Sequence, residues 1–434
     1  MRLPHSILRV VAASAGILAI GGCSTHDEQK PITRSHIERA ETIIGLSFTG
    51  DERDSLLDNV NTSLQSYGSM REVGLNNSIM PALLFNPIPA GFRFEQTQRP
   101  VRLSPVRPAM PASVEDLAFA PVRELGELIR SRKVTSEQLT KMFLDRLKKY
   151  GPKLECVVTL TEELALEQAR RADREISAGQ YRGPLHGIPY GAKDLLSTRR
   201  YKTTWGAMPF KDQIIDEDAM VIKKLEAAGA VLVAKLTLGA LAWGDVWFGG
   251  MTRNPWNPEQ GSSGSSAGSA AATAAGLVPF AIGTETWGSI VSPSTRCGTT
   301  GLRPSYGRVS RTGAMALSWS MDKIGPITRS AEDCAIVFNA IIGPDGVDPT
   351  LYDVPFNYDY SVSLKALRIG YLKTEFDSAR SNKTNNDAVL EVLRSLGANL
   401  IPIELPDYPT SALSIILSAE AAAAFDDLTR SGKD

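Results

Sequence analysis

Between residues 135 and 430 the apolar positions alternate between two patterns, a spacing of three to four and short unbroken runs. The first lays one apolar face along a helix, and the second fills a strand buried on both sides. Thr135 and Gln138 form a capping box, opening a helix predicted through Phe143 and Leu147 to a stop at Gly151. Residues 156–160 follow as a strand and 162–178 as a helix stopped by Gly179. Residues 183–196 are strand-like and carry Lys193 among small and apolar neighbours. Residues 216–229 read as a capped amphipathic helix and 230–234 as a continuous apolar strand of the parallel, two-sided kind. An alanine-rich helix at 269–276 precedes a buried strand at 277–282. The alternation resumes with a helix at 329–342, a strand at 367–371, a helix at 385–397, a strand at 398–403 and a helix at 411–430. Such a succession predicts an α/β fold with a sheet covered on both faces by helices.

The first 113 residues follow other rules. Arg2 and Arg9 bracket a basic start, 10–20 is apolar, and Ile20-Gly21-Gly22-Cys23 follows. The apolar stretch is short for a bilayer span, which predicts a signal peptide over 1–22. The Gly-Gly-Cys ending resembles a bacterial lipobox and predicts lipidation at Cys23, export, and a membrane-anchored lipoprotein. Residues 23–113 form an extension, helical around 51–65 and then rich in proline, with seven prolines in the 31 residues from Pro81 to Pro111. The main domain is expected over 114–434. Apolar residues make up 43% of the chain and charged residues 22%, as in globular proteins. The formal charge is −1, and removal of 1–22 makes it −3. This balance gives no reason to expect nucleic acid as a partner. Cys156, Cys297 and Cys334 read as buried thiols.

Chemistry concentrates in two glycine/serine turns, Gly261-Ser262-Ser263-Gly264-Ser265-Ser266-Ala267-Gly268-Ser269 and Gly283-Thr284-Glu285-Thr286-Trp287-Gly288-Ser289. They bring Ser265 and Ser289 to the ends of neighbouring elements. A serine nucleophile needs a base. Three of the four histidines, His5, His26 and His36, lie in the leader and the extension, and His186 sits in a structural turn. Lysine can serve when burial lowers its pKa, and Lys193 has the apolar surroundings for it. Asp194 would point to the opposite side of the strand. Backbone N–H groups of Thr286, Trp287, Gly288 and Ser289 can face a carbonyl oxygen as an oxyanion hole. No P-loop, dinucleotide fingerprint or zinc spacing occurs, so neither cofactor nor metal is expected.

These turns, with Gly183 to Leu195, resemble the amidase signature family of serine amidases. The resemblance continues through Cys297-Gly298, 301–309 and Asp322-Lys323-Ile324-Gly325-Pro326, and covers roughly 115–434. It implies the amidase signature fold, a mixed sheet between helices. It further implies amide hydrolysis with Ser289 as nucleophile, Ser265 as proton relay after a cis peptide bond, and Lys193 as base. Relatives of this kind continue past the matching region, so the chain is expected to be C-terminally incomplete. The sequence departs from the family at Trp287 and Val291, where glycine and often arginine are usual, and at Glu285, where aspartate is usual. The Trp287 indole must either narrow the acyl pocket or turn away, and narrowing is the expectation. Two alternatives are an inactive amidase-fold binding lipoprotein and an amidotransferase A-like component. An exported lipoprotein would lack the tRNA and ATP of amidotransferase work, which argues for a small-molecule amide substrate and against a partner subunit.

Overall fold

A computed structural model describes residues 30–433 apart from 75, 82, 83 and 379–381. The expected signal peptide and Cys23 lie outside the described residues. The chain divides into two compact units at residues 75 and 76. In the first, helices α1 (Arg34–Ile44) and α2 (Gly50–Glu72) are joined by a bidentate ion pair, with Arg53 donating to both carboxylate oxygens of Glu41 at 2.6 and 2.7 Å.

In the second unit the proline-rich 81–111 stretch forms no helix or extended ladder among its described residues, and Arg102 makes a single bridge to Asp359. In chain order, helices α3 (Val122–Arg130) and α4 (Ser136–Leu154) precede strand β1 (Val157–Leu160), and α5 (Glu162–Ser177) follows it. Next come β2 (Pro189–Lys193), α6 (Met220–Ala227), β3 (Val231–Leu236), α7 (Ala267–Ala274) and β4 (Phe280–Glu285). Helix α8 (Val291–Cys297), β5 (Thr300–Gly301), β6 (Lys323–Thr328) and α9 (Ala331–Ile341) follow. These strands make one six-stranded sheet in the order β1-β3-β2-β4-β6-β5. β2 runs parallel to both β3 and β4, while β1, β6 and β5 pair antiparallel, so the sheet is mixed.

Every residue of β2, β3 and β4 is buried, as a sheet covered on both faces requires. Their period of two divides the core. Tyr190, Ala192, Leu232, Phe280 and Ile282 join the cluster on one face and Val231, Val233 and Ala281 the cluster on the other, and a register shift in β3 beyond Leu232 puts Ala234 and Leu236 on that second face too. Tyr190 stacks on Phe280 with centroids 5.3 Å apart. Cys156, Cys297 and Cys334 are buried free thiols, as expected, and burial raises their pKa values to about 12, 12 and 11.

Several boundaries differ from those predicted. α4 runs through Gly151 and Pro152 before ending at Glu155 in the left-handed region. Gly151 is buried, and a Cβ there would come within 3.1 Å of Val157, so this glycine serves packing and does not end the helix. α6 begins only at Met220, because Asp216 pairs with Arg199 Nε at 3.3 Å and Asp218 accepts the Arg199 N–H, so neither caps the helix. β4 starts three residues late, since the Leu277 N–H still bonds back to Ala272 of α7. Strands β7 (Arg368–Leu372) and β8 (Asn399–Ile403) flank helix α10 (Lys383–Ser395) and form a separate parallel pair. The predicted helix at 411–430 breaks at Phe425 into α11 (Ser414–Ala424) and α12 (Asp426–Ser431).

Candidate active site

The parallel neighbours β2 and β4 end on the same side of the sheet, and the C-terminal ends of such strands are where open α/β folds build sites. Lys193 is the last residue of β2 and is fully buried. Its Nζ lies 2.8 Å from Ser265 Oγ, 3.1 Å from Ser266 Oγ and 2.9 Å from Thr284 Oγ1. Burial lowers its pKa to about 7, opposed only in part by the charges of Asp322 and Glu285. The adjacent carboxylate leaves the amine alone. Asp194 points to the other side, as expected, where it meets Lys235 Nζ at 2.8 Å in an ion pair with no exposed surface.

Ser265 and Ser266 occupy the turn before α7. The Gly264–Ser265 peptide is cis. A Cβ on Gly264 would stand 1.8 Å from the Gly244 carbonyl oxygen, so only glycine fits. Ser266 ties this turn to β4. Its hydroxyl donates to the Thr284 carbonyl at 3.0 Å and accepts from the Thr284 N–H at 3.1 Å, and its own N–H donates to the Ser289 carbonyl at 3.1 Å.

Beyond β4 the chain turns at Gly288, where φ is +101°, and enters α8. The buried Glu285 carboxylate holds this turn, accepting the N–H groups of Ile290 and Val291 at 2.9 and 3.0 Å. Among the described residues, none of the N–H groups of Thr286, Trp287, Gly288 and Ser289 donates to a protein acceptor. The Ser289 side chain likewise makes no hydrogen bond to a described residue. The Trp287 indole is 48% exposed and is not among the residues lining the adjoining cavity.

That cavity, of about 230 Å³, touches Thr284, Thr286 and Asp322. Burial pushes the Asp322 carboxyl up, while Thr286 Oγ1 and the N–H groups of Leu317 and Ser318 donate to it. His186 takes no part. Its buried ring sits between the Glu175 carboxylate, 3.0 Å from Nε2, and the Arg182 N–H, which donates to Nδ1. Among the described residues no three His, Cys, Asp or Glu side chains gather as a metal site, and no helix is long and apolar enough to cross a membrane.

The site therefore draws together Lys193, Ser265 and the turn carrying Ser289. Sequence reasoning missed Ser266 and Thr284, and it noticed Glu285 only as a departure. The chain belongs to the amidase family, which matches residues 138–433. It is 38% identical over 313 residues to the A component of the glutamyl-tRNA(Gln) amidotransferase of Coxiella burnetii, and 41% identical over 301 residues to that of Acinetobacter baumannii. These alignments cover 70% and 67% of this chain, which spans only 64% and 61% of those relatives. Among solved structures, the peptide amidase of Stenotrophomonas maltophilia superposes with a TM-score of 0.65 at 35% identity, covering 72% of this chain and 69% of that one. A fatty acid amide hydrolase shares the fold at 24% identity, with a TM-score of 0.63 over 69% of this chain and 55% of its own.

Proposed function

We propose that this protein hydrolyses a carboxylic amide through an acyl-Ser289 intermediate. One observation carries the reading: Lys193 is surrounded as a neutral amine would be. A neutral amine has two hydrogens and one lone pair. Ser266 Oγ and Thr284 can take the two hydrogens, which leaves the lone pair for the Ser265 hydroxyl at 2.8 Å. Ser265 would then accept the Ser289 proton as Ser289 Oγ attacks the carbonyl carbon. The N–H groups of Thr286, Trp287, Gly288 and Ser289 would receive the developing oxyanion. The proton returns through Ser265 to the leaving nitrogen, and water releases the acyl group by the same relay.

The test is labelling by a small fluorophosphonate, followed by an amide screen. Ser289→Ala should lose both labelling and turnover. Lys193→Ala and Ser265→Ala should each lower kcat by at least about 100-fold, the usual scale for proton-transfer residues. Activity should fall as pH drops through about 7, where Lys193 gains its proton. An active Lys193→Ala enzyme with a dead His186→Ala counterpart would sink the mechanism.

A second reading follows from the relatives named as amidotransferase components. Under it the acyl donor is glutamine and the released ammonia serves a partner subunit. Hydrolysis of glutamine in preference to every other amide in the screen would favour it. From the sequence we also propose export and lipid attachment at Cys23. Native protein found free of membrane, with a mature end other than Cys23, would refute that placement.

A further inference from the structure

The 230 Å³ cavity beside Thr284 and Thr286 has a wall built from outside the matched family region. Asn77, Ser78 and Met80 line it, and all three precede residue 138. Asn77 is fixed there as a strand neighbour would be. Its Oδ1 accepts the Ala316 N–H at 2.7 Å, and its Nδ2 donates to the Ala316 carbonyl at 2.9 Å. The same Nδ2 reaches the Ala424 carbonyl at the end of α11, at 3.4 Å. Met80 Sδ rests 3.9 Å from Arg311 Nη2, and Phe85 packs edge-on against Tyr306 at 5.6 Å. Asn77, Met80 and Phe85 thus each meet the 306–316 loop.

Of the charged groups lining the cavity, Arg311, Asp348, Asp322 and Lys323 have partners, and Glu217 stands exposed at its edge with none among the described residues. Arg311 is held by Asp348 and Thr350, Asp322 by Thr286, Leu317 and Ser318, and Lys323 donates to the Thr286 carbonyl at 3.1 Å. The apolar part of the lining comes from Leu195, Met315, Leu317, Ile324 and Met80. The volume lies below the roughly 300 Å³ at which pockets for drug-sized ligands begin. It suits a side-chain-sized group and is too small for a long acyl tail.

We propose that residues 77–80, from outside the matched family region, form a specificity wall, and that Met80, positioned through Asn77, limits the compact apolar substituent carried beside the scissile amide. The proposal rests on the amide-hydrolase reading for its substrate, and one of its two test arms does not depend on turnover. One arm measures kcat/KM over two amide series, graded in size on the acyl side and on the amine side. Met80→Trp should lower kcat/KM for branched and aromatic members by at least about 10-fold, the scale of discrimination by a filled apolar pocket. It should leave the smallest members within about 3-fold, and the series that responds identifies the side of the amide bound here. Met80→Ala should shift the preference towards larger members, and Asn77→Ala should raise KM more than it lowers kcat.

The other arm measures benzamide binding to the Ser289→Ala protein by calorimetry, with Met80→Leu as the conservative control. Binding retained in Met80→Leu and lost in Met80→Trp supports the wall even if no amide is turned over. Failure of Ser289 to label would overturn the catalytic reading alone. Unchanged selectivity together with unchanged benzamide binding in a folded Met80→Trp protein would overturn this one.

Discussion

Lys193, the base in the proposed mechanism, also bears on stability. Its pKa of about 7 in the fold, against 10.5 in an unfolded chain, means that the unfolded state binds more protons between those values. Stability therefore rises with pH across that window, by about 1.4 kcal/mol per pH unit, and the penalty is nearly complete at pH 7. Lys193→Met should relieve it while abolishing turnover. Its melting temperature relative to wild type should be highest near pH 7 and decline towards pH 10, offset throughout by the lost hydrogen bonds to Ser266 and Thr284. A difference independent of pH would show that the wild-type amine is not desolvated. Lys193 was legible in the sequence because its neighbours are small and apolar and the histidines lie elsewhere. Ser266, Thr284 and Asn77 were not, because their roles arise from pairings 18 and 239 residues apart that no local pattern encodes.

At the scale of elements, the turn before α7 is placed by how closely that helix approaches the sheet. A Cβ on Gly268 would come within 2.5 Å of both the Cys156 carbonyl oxygen and the Thr237 nitrogen. Gly268→Ala should therefore cost about 3 kcal/mol, as overpacking does in a closed core. Because α7 follows Ser265 and Ser266 directly, the shift should also reduce fluorophosphonate labelling of Ser289. A variant with wild-type denaturant midpoint would show that the helix can move away freely. The sequence announced this helix through its alanines and the strands through their apolar runs. It was misleading about boundaries at Gly151 and Asp216, where a glycine used for packing and an aspartate paired with Arg199 look like ordinary stop and start signals. The direction of β1, β5 and β6 was also not legible, since apolar content does not distinguish parallel from antiparallel neighbours in a buried sheet.

For the whole molecule, the three hidden thiols become an internal clock. Cys156 lies just before β1, Cys297 at the end of α8 and Cys334 within α9. Each is almost fully protonated at pH 8 while buried, and only the thiolate attacks an alkylating reagent. In a Cys23→Ser background, iodoacetamide should react with these positions only when the surrounding segment opens. Three rates read by mass spectrometry would then report three local opening free energies, without any probe being added. Alkylation of all three as fast as in urea would contradict the burial described above. Slow and unequal rates would show which part of the sheet comes apart first, an order that equilibrium melting of the whole chain averages away.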